Sequence, residues 1–305
     1  MLSEVKRRKK RIAITIPSSF VSDTPHLREK TVRIGLLARA AAIFRVDEIL
    51  IYPPTLRADP EEARFLKKIL SYLETPQYLR KRIFPISPEM KYVGVLPPLR
   101  TPHHPLVNDK RNELITYREG LVLHSDENWV TVDVGRDRNV RVKASGVQTG
   151  SRITIKIERT NEGERHSVFS RDSVPTYWGY DVTICQRTLG EVLKQRQDEL
   201  IVITSKYGKS ILEEMSKLRK RVEEASRILV VFGSPQEGVG EILARERLRP
   251  GDLSDVVLNM IPDQGTETVR TEEAIYATMA ILNVTSVELE NKPRASSQET
   301  LTPAR

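Results

Sequence analysis

The stretch from Val230 to Ala280, VVFGSPQEGVG at 230–240 and NMIPDQGTETVRTEEAIYATMA at 259–280, decides the fold. Each piece places a Gly/Pro-rich loop directly after a buried-type strand. The second loop runs into a helix whose first turn holds Glu272 and Glu273, where the helix dipole alone explains two acids. Such loops turn backbone amides and carbonyls toward a small ligand. Gly233, Gly238 and Gly265 permit close approach, and Pro235 and Pro262 stiffen the surroundings. A phosphate loop is excluded, because Val239 and Gly240 stand where G-x-x-x-x-G-K-[ST] needs lysine and a hydroxyl. A dinucleotide fingerprint fails as well, since Gly238-Val239-Gly240 lacks a third small residue at the needed spacing. The pocket suits a ligand uncharged at its centre, such as an adenosine with an amino-acid tail.

Outward from this stretch the pattern is strand–helix–strand. Ile12–Ile16 alternates with β-branched residues and stops at Pro17, a helix opens near Ser22-Asp23-Thr24-Pro25, and Glu48–Tyr52 is the next strand. Ile34, Leu37, Ala41 and Phe44 share one helical face. Asp59-Pro60-Glu61-Glu62 opens another helix with an N-cap aspartate, proline in the first turn and acids beside it. After Val95-Leu96-Pro97-Pro98 the helical pattern gives way to short β-type runs at 120–124, 129–134, 139–143 and 152–157, which predict a small barrel of OB type. The α/β pattern resumes at Tyr180, with strands expected at 181–185, 199–204, 227–232 and 255–259. His103 and His104 fall in the Pro-rich 96–105 linker and read as loop or hinge. The segment from about Asn291 is rich in Ser, Pro, Gln and Thr and reads as a disordered tail.

These residues carry a resemblance. Thr204-Ser205-Lys206-Tyr207-Gly208, Phe232-Gly233-Ser234-Pro235, Asn259–Thr271 and the run from Leu37 to Glu48 together resemble the SPOUT class of methyltransferases. The likeness is greatest to its archaeal and eukaryotic branch of RNA methyltransferases with an inserted β-barrel. Arg45 departs from the pattern, standing where many relatives have glycine before V-D-E. The resemblance implies an α/β fold tied in a trefoil knot, a methyltransferase domain made of 1–95 and 175–290, an OB-like barrel at 96–174, a homodimer, and S-adenosyl-L-methionine as methyl donor. It further implies RNA as substrate, ribosomal RNA above all, with a base nitrogen such as uridine N3 favoured over a ribose 2′-hydroxyl. The donor set it implies is Thr204, Gly208, Gly233, Ser234, Gly238, Ile261, Gly265, Thr268 and Val269. Arg39 matches an arginine that reaches the active site, often across the dimer interface. Glu267 and Arg270 are the next catalytic candidates, as proton acceptor and phosphate holder, or as a pair bracing the loop.

Composition agrees. The 305 residues are 39% apolar and 30% charged, and their apolar runs are too short for a membrane span. The net charge of +8 is uneven: 19 basic against 10 acidic residues in 1–95, 13 against 11 in 96–175, and 17 against 20 in 176–305. A basic segment beside a neutral pocket suits a polyanion. One cysteine, Cys185, excludes an intrachain disulfide, reads as a small buried hydrophobe, and points to a reducing, cytoplasmic setting. The five histidines show no metal-ligand spacing, so no metal is expected. A non-catalytic RNA-binding scaffold with the same fold is the rival reading, and a nucleotide hydrolase is a weak third.

Overall fold

A computed structural model of the chain describes residues 5–105 and 113–291. Its first part runs β1 (Arg11–Pro17), α1 (Leu27–Ile43), β2 (Glu48–Tyr52), α2 (Pro60–Glu74) and α3 (Gln77–Ile83). Five strands follow: β3 (Ile115–Ser125), β4 (Trp129–Asp133), β5 (Val140–Lys143), β6 (Arg152–Thr160) and β7 (Gly163–Phe169). The chain then continues through β8 (Asp181–Ile184), α4 (Leu189–Gln195), β9 (Leu200–Ser210), α5 (Ile211–Glu224), β10 (Arg227–Val231), α6 (Val239–Arg245), α7 (Pro250–Leu253), β11 (Val256–Asn259) and α8 (Thr271–Asn291). The tail expected from about Asn291 lies outside the described residues.

Six strands form one parallel sheet in the order β11-β9-β10-β1-β2-β8. Its alternating residues feed two separate cores. Ile12, Ile14, Ile16, Ile49, Ile51, Val202, Ile228 and Val230 face α1, α2, α5 and α8. Ala13, Leu50, Ile201, Ile203, Leu229 and Val231 face α4, α6 and α7. A parallel sheet covered on both faces is what continuous Val/Ile/Leu strands specify. The sequence places β10 before β11, yet β11 lies beyond β9, so this connection must pass the end of β9.

The helix expected from Ser22 begins later, at Leu27, after turns over residues 18–23. Asp59 caps α2 as its sequence demands, accepting a hydrogen bond from Glu61 N at 2.9 Å. Arg45 takes a left-handed backbone (φ 53°), so the arginine adopts the conformation a glycine would supply. The basic 6–11 segment is not a free arm. Arg7 N and Tyr177 N donate to Pro175 O and Val5 O, and the Arg7 and Arg11 side chains pair with Asp172. This stitching sits at the amino ends of the strands.

The other five strands are antiparallel in the order β5-β4-β3-β6-β7, and β5 approaches β7 to leave a nearly closed barrel around Val122, Val130, Val132, Val142, Ile155 and Ile157. β7 has no strong apolar alternation, which is why the sequence did not reveal it.

The junction of the two sheets is polar and buried. Glu74, at the end of α2, accepts from Arg152 Nη1 at 2.7 Å and Arg171 Nη2 at 3.1 Å. Glu119 on β3 accepts from Arg152, Thr154 Oγ1 and the Trp178 indole. His103 and His104 both donate to the Glu74 carbonyl, at 2.8 and 2.6 Å, and His103 is fully buried. The hinge reading of His103 is therefore corrected. The proline-rich segment dips into the core because the Glu74 backbone oxygen offers an acceptor there.

Burial would raise the Glu74 carboxyl, but Arg152, His103 and Arg171 outweigh it and hold it well below 4.5. Burial, with His103 beside it, holds His104 well below 6.5. Both groups bind fewer protons folded than unfolded, so stability is expected to fall as pH is lowered. The His104 contribution is lost from pH 6.5 downward and that of Glu74 below 4.5, each by up to about 1.4 kcal/mol per pH unit. Urea midpoints taken between pH 7.5 and 4 check this, and a midpoint that rises toward acid would contradict it.

Candidate active site

Open parallel sheets bind ligands at the carboxyl ends of their strands. Here the ends of β9, β10 and β11 enclose a cleft of about 470 Å³. Phe232, Met260, Ile261, Val269 and Ala274 supply apolar surface, while Ser234, Glu237, Gln264 and Glu267 bring polar groups to it.

Each loop is held by its own side chains. After β10, Ser234 Oγ accepts from Gln236 N and Glu237 N at 3.3 and 2.9 Å, and Ser234 N donates to Glu237 O at 2.8 Å. A Cβ on Gly233 would stand 2.8 Å from Glu237 O and 3.0 Å from Gly238 Cα, so only glycine fits this turn. Thr204 Oγ1 donates to Val231 O and Tyr52 Oη to Phe232 O, fixing the strand end beneath it. After β11, Asn259 Oδ1 accepts from Ile261 N at 3.0 Å while its amide donates to Lys206 O at 3.2 Å. Lys206 Nζ donates to Glu267 O at 2.8 Å, joining the first loop to the third. Thr271 Oγ1 donates to Gly233 O at 3.3 Å, joining the third to the second.

Of the expected donor residues, Thr204, Gly233, Ser234, Gly238, Ile261, Thr268 and Val269 line this one cleft. Glu267 lines it too. Gly208 and Gly265 do not. Gly208 packs against β11, where a Cβ would stand 2.7 Å from the Leu258 carbonyl carbon; a Cβ on Gly265 would meet open space. Arg270 is exposed and outside the lining, and its amide donates to Glu273 Oε2 at the start of α8. The alternative of a brace between Arg270 and Glu267 is not formed among the described residues. Arg39 is also away from this cleft, with Nη1 donating to Leu99 O at 3.0 Å. Cys185 stays a protonated thiol, since burial pushes it up to about 11.

Two residues escaped the sequence reading. Arg33 on α1 is buried and makes a two-pronged contact with Glu272, at 2.8 and 3.1 Å, and also meets Asp23 and Thr24. It clamps the start of α8 to the turns after β1. An arginine among apolar helix positions was the available signal, but Arg39 carried the same one. Thr278 is the second. Its side chain is fully buried, lines the cleft, and its hydroxyl has no partner among the described residues.

A family model described as "Putative RNA methyltransferase" matches residues 11–282. The chain belongs to this family. Among similar proteins, the 28S rRNA (uridine-N(3))-methyltransferase of Drosophila melanogaster is 31% identical over an alignment spanning 89% of this chain and 61% of that protein. The protein of the same name from Homo sapiens is 29% identical, spanning 89% of this chain and 77% of its own length. An uncharacterized protein of Haloarcula marismortui is 30% identical across 90% of this chain and 99% of its own. The match to the family covers all three loops of the cleft. In this RNA methyltransferase the cleft is thus the place to seek the methyl donor, and its buried groups test the fit. The orphaned Thr278 hydroxyl wants a polar partner, and the apolar surface around it suits a flat heterocycle.

Proposed function

We propose that this protein is an S-adenosylmethionine-dependent methyltransferase of the SPOUT class that modifies a base nitrogen of ribosomal RNA, uridine N3 in the first place. The observation that carries the reading is the convergence of three strand-end loops on one cleft with an apolar interior and an unpartnered buried hydroxyl. The named relatives supply the substrate class. A knotted backbone fits the passage of the chain beyond β9 to β11 and its return to Gly233 through Thr271. An OB-like insert at 96–174, between the two parts of the methyltransferase domain at 1–95 and 175–290, fits the order β5-β4-β3-β6-β7 and the near closure of β5 on β7. A homodimer fits the exposed apolar side chains Val32, Leu36 and Ile43, which recur on one face of α1. Arg39 falls on that same face, away from its own cleft, so a two-fold partner would receive it.

S-adenosylmethionine, when bound, supplies an electrophilic methyl group, which leaves the protein to align the acceptor and remove its proton. Glu267 lines the cleft, and its carboxylate has no side-chain partner among the described residues, which supports reading it as the acceptor of the N3 proton. Gly233, Ser234 and Gly238 hold the donor through backbone shape, and Thr278 through its hydroxyl. Arg270, exposed beside the cleft, is left to meet phosphate.

Nucleoside analysis of rRNA incubated with protein and S-adenosylmethionine tests the reading, with N3-methyluridine expected and its absence decisive against it. Thr278→Val is expected to weaken S-adenosylhomocysteine binding about 3- to 10-fold, the worth of one hydrogen bond. Thermal stability should hold or rise, because an unsatisfied buried group is removed. Titration calorimetry and melting of the same samples read both.

A further inference from the structure

Between Ile203 and Lys209, β9 loses its register with β11. Ile203 pairs with Val257 and Lys209 with Leu258, so residues 204–208 are extruded against a single step of β11. An excursion of this kind re-aims side chains and is a built feature, not a defect of pairing. Both feet are fixed. Ile203 is fully buried, and Gly208 lies so close to β11 that a Cβ would overlap Val257 O and the Leu258 backbone at 2.7–2.8 Å. The loop between them is braced as well: Tyr207 N donates to Ser205 Oγ at 3.2 Å, Lys206 O accepts from Asn259, and Lys206 Nζ reaches Glu267 O. On this braced backbone Tyr207 is 89% exposed and lines the cleft.

An aromatic ring left in water costs hydrophobic free energy, and the excursion in β9 leaves this one there. We propose that Tyr207 is the stacking platform for the target base, holding an unstacked uracil face-on at the mouth of the cleft. A base must leave its helix before an enzyme can reach its ring nitrogen, and the aromatic face that receives it replaces the lost stacking. The bond from Lys206 Nζ to the Glu267 carbonyl ties the platform's loop to the loop that carries the proposed proton acceptor. An aliphatic residue on the same excursion would offer no π-face. This inference rests on the RNA base methyltransferase reading above.

The test compares Tyr207→Ala and Tyr207→Phe with wild type, using tritiated S-adenosylmethionine and large-subunit rRNA, alongside calorimetric titration with S-adenosylhomocysteine. Tyr207→Ala is expected to lower kcat/KM for RNA about 10- to 100-fold, the range for loss of one base–aromatic stack, while Tyr207→Phe stays within about threefold of wild type. Donor affinity should be unchanged in both. If wild type is active and Tyr207→Ala matches it, the platform is wrong while the enzyme reading stands. If donor affinity falls in parallel, Tyr207 is a wall of the donor site instead. A change in sedimentation that accompanies the loss would assign Tyr207 to contact between copies and overturn the proposal. If wild type transfers no methyl group to rRNA, the functional reading falls and takes the platform with it.

Discussion

Glu74→Leu is expected to destabilise the protein by about 3–5 kcal/mol, because it removes one partner from a buried charge cluster and leaves the others unpaired. For a domain of this size that lowers the melting temperature by roughly 10 °C. Glu74 is 3% exposed and is approached by Arg152, Arg171 and His103 from three different segments. Arg152 belongs to the barrel-like sheet and Arg171 to the segment that returns to the parallel sheet, so the carboxylate ties the two sheets together. Glu119 cannot substitute for it, being already engaged by Arg152, Thr154 and Trp178. Glu74→Gln keeps size and one acceptor oxygen and should fall between wild type and leucine. An exposed pair gives the contrast: Arg64→Ala, which breaks the contact with Glu61, should change stability by less than about 1 kcal/mol. Urea unfolding followed by circular dichroism measures all three. A Glu74→Leu effect below about 1 kcal/mol would show that the junction is held by apolar packing alone.

The sequence disclosed the sheet and its loops because their signals are local. Ile12–Ile16 and Ile228–Val231 are buried on both faces and read as runs rich in β-branched residues; Asp59 and Pro60 announce their helix within four residues. Thr204, Gly233, Ser234 and Ile261 were legible for the same reason, as they sit directly after such runs. What was hidden depends on contacts far apart in sequence. Arg33 and Glu272 are 239 residues apart, and nothing near either one announces the other. His103 looked like linker because its acceptor, the Glu74 carbonyl, lies 29 residues upstream and on another element. Arg39 and Arg33 are six residues apart on one helix with similar neighbours, and only the fold shows which is buried. Tyr207 stands in a legible motif, yet its exposure follows from a register shift against β11 that no spacing rule encodes.

Gly233→Val is expected to weaken donor binding by at least about 100-fold, roughly 2.7 kcal/mol or more. The turn from Phe232 to Gly238 closes on itself through the Ser234 N to Glu237 O hydrogen bond at 2.8 Å. A Cβ at position 233 would press on Glu237 O, Gly238 Cα and Val239 N, all backbone atoms at 2.8–3.1 Å. Backbone cannot swing aside as a side-chain end can, so the turn must open. Opening it displaces Ser234, Glu237 and Gly238 together, and all three line the cleft. It also strains the Thr271 contact to Gly233 O, through which the β10 loop and the start of α8 are held at a common distance. Gly265→Ala is the matched control. Both glycines stand in loops that the sequence marks for close approach, but a Cβ on Gly265 meets nothing within 4 Å. Its donor affinity should stay within about twofold of wild type. Calorimetric titration with S-adenosylhomocysteine separates the two positions. Equal losses would mean that loop flexibility, which both substitutions reduce, governs binding; a loss confined to Gly233→Val would mean that the cleft works by the fixed shape of one turn.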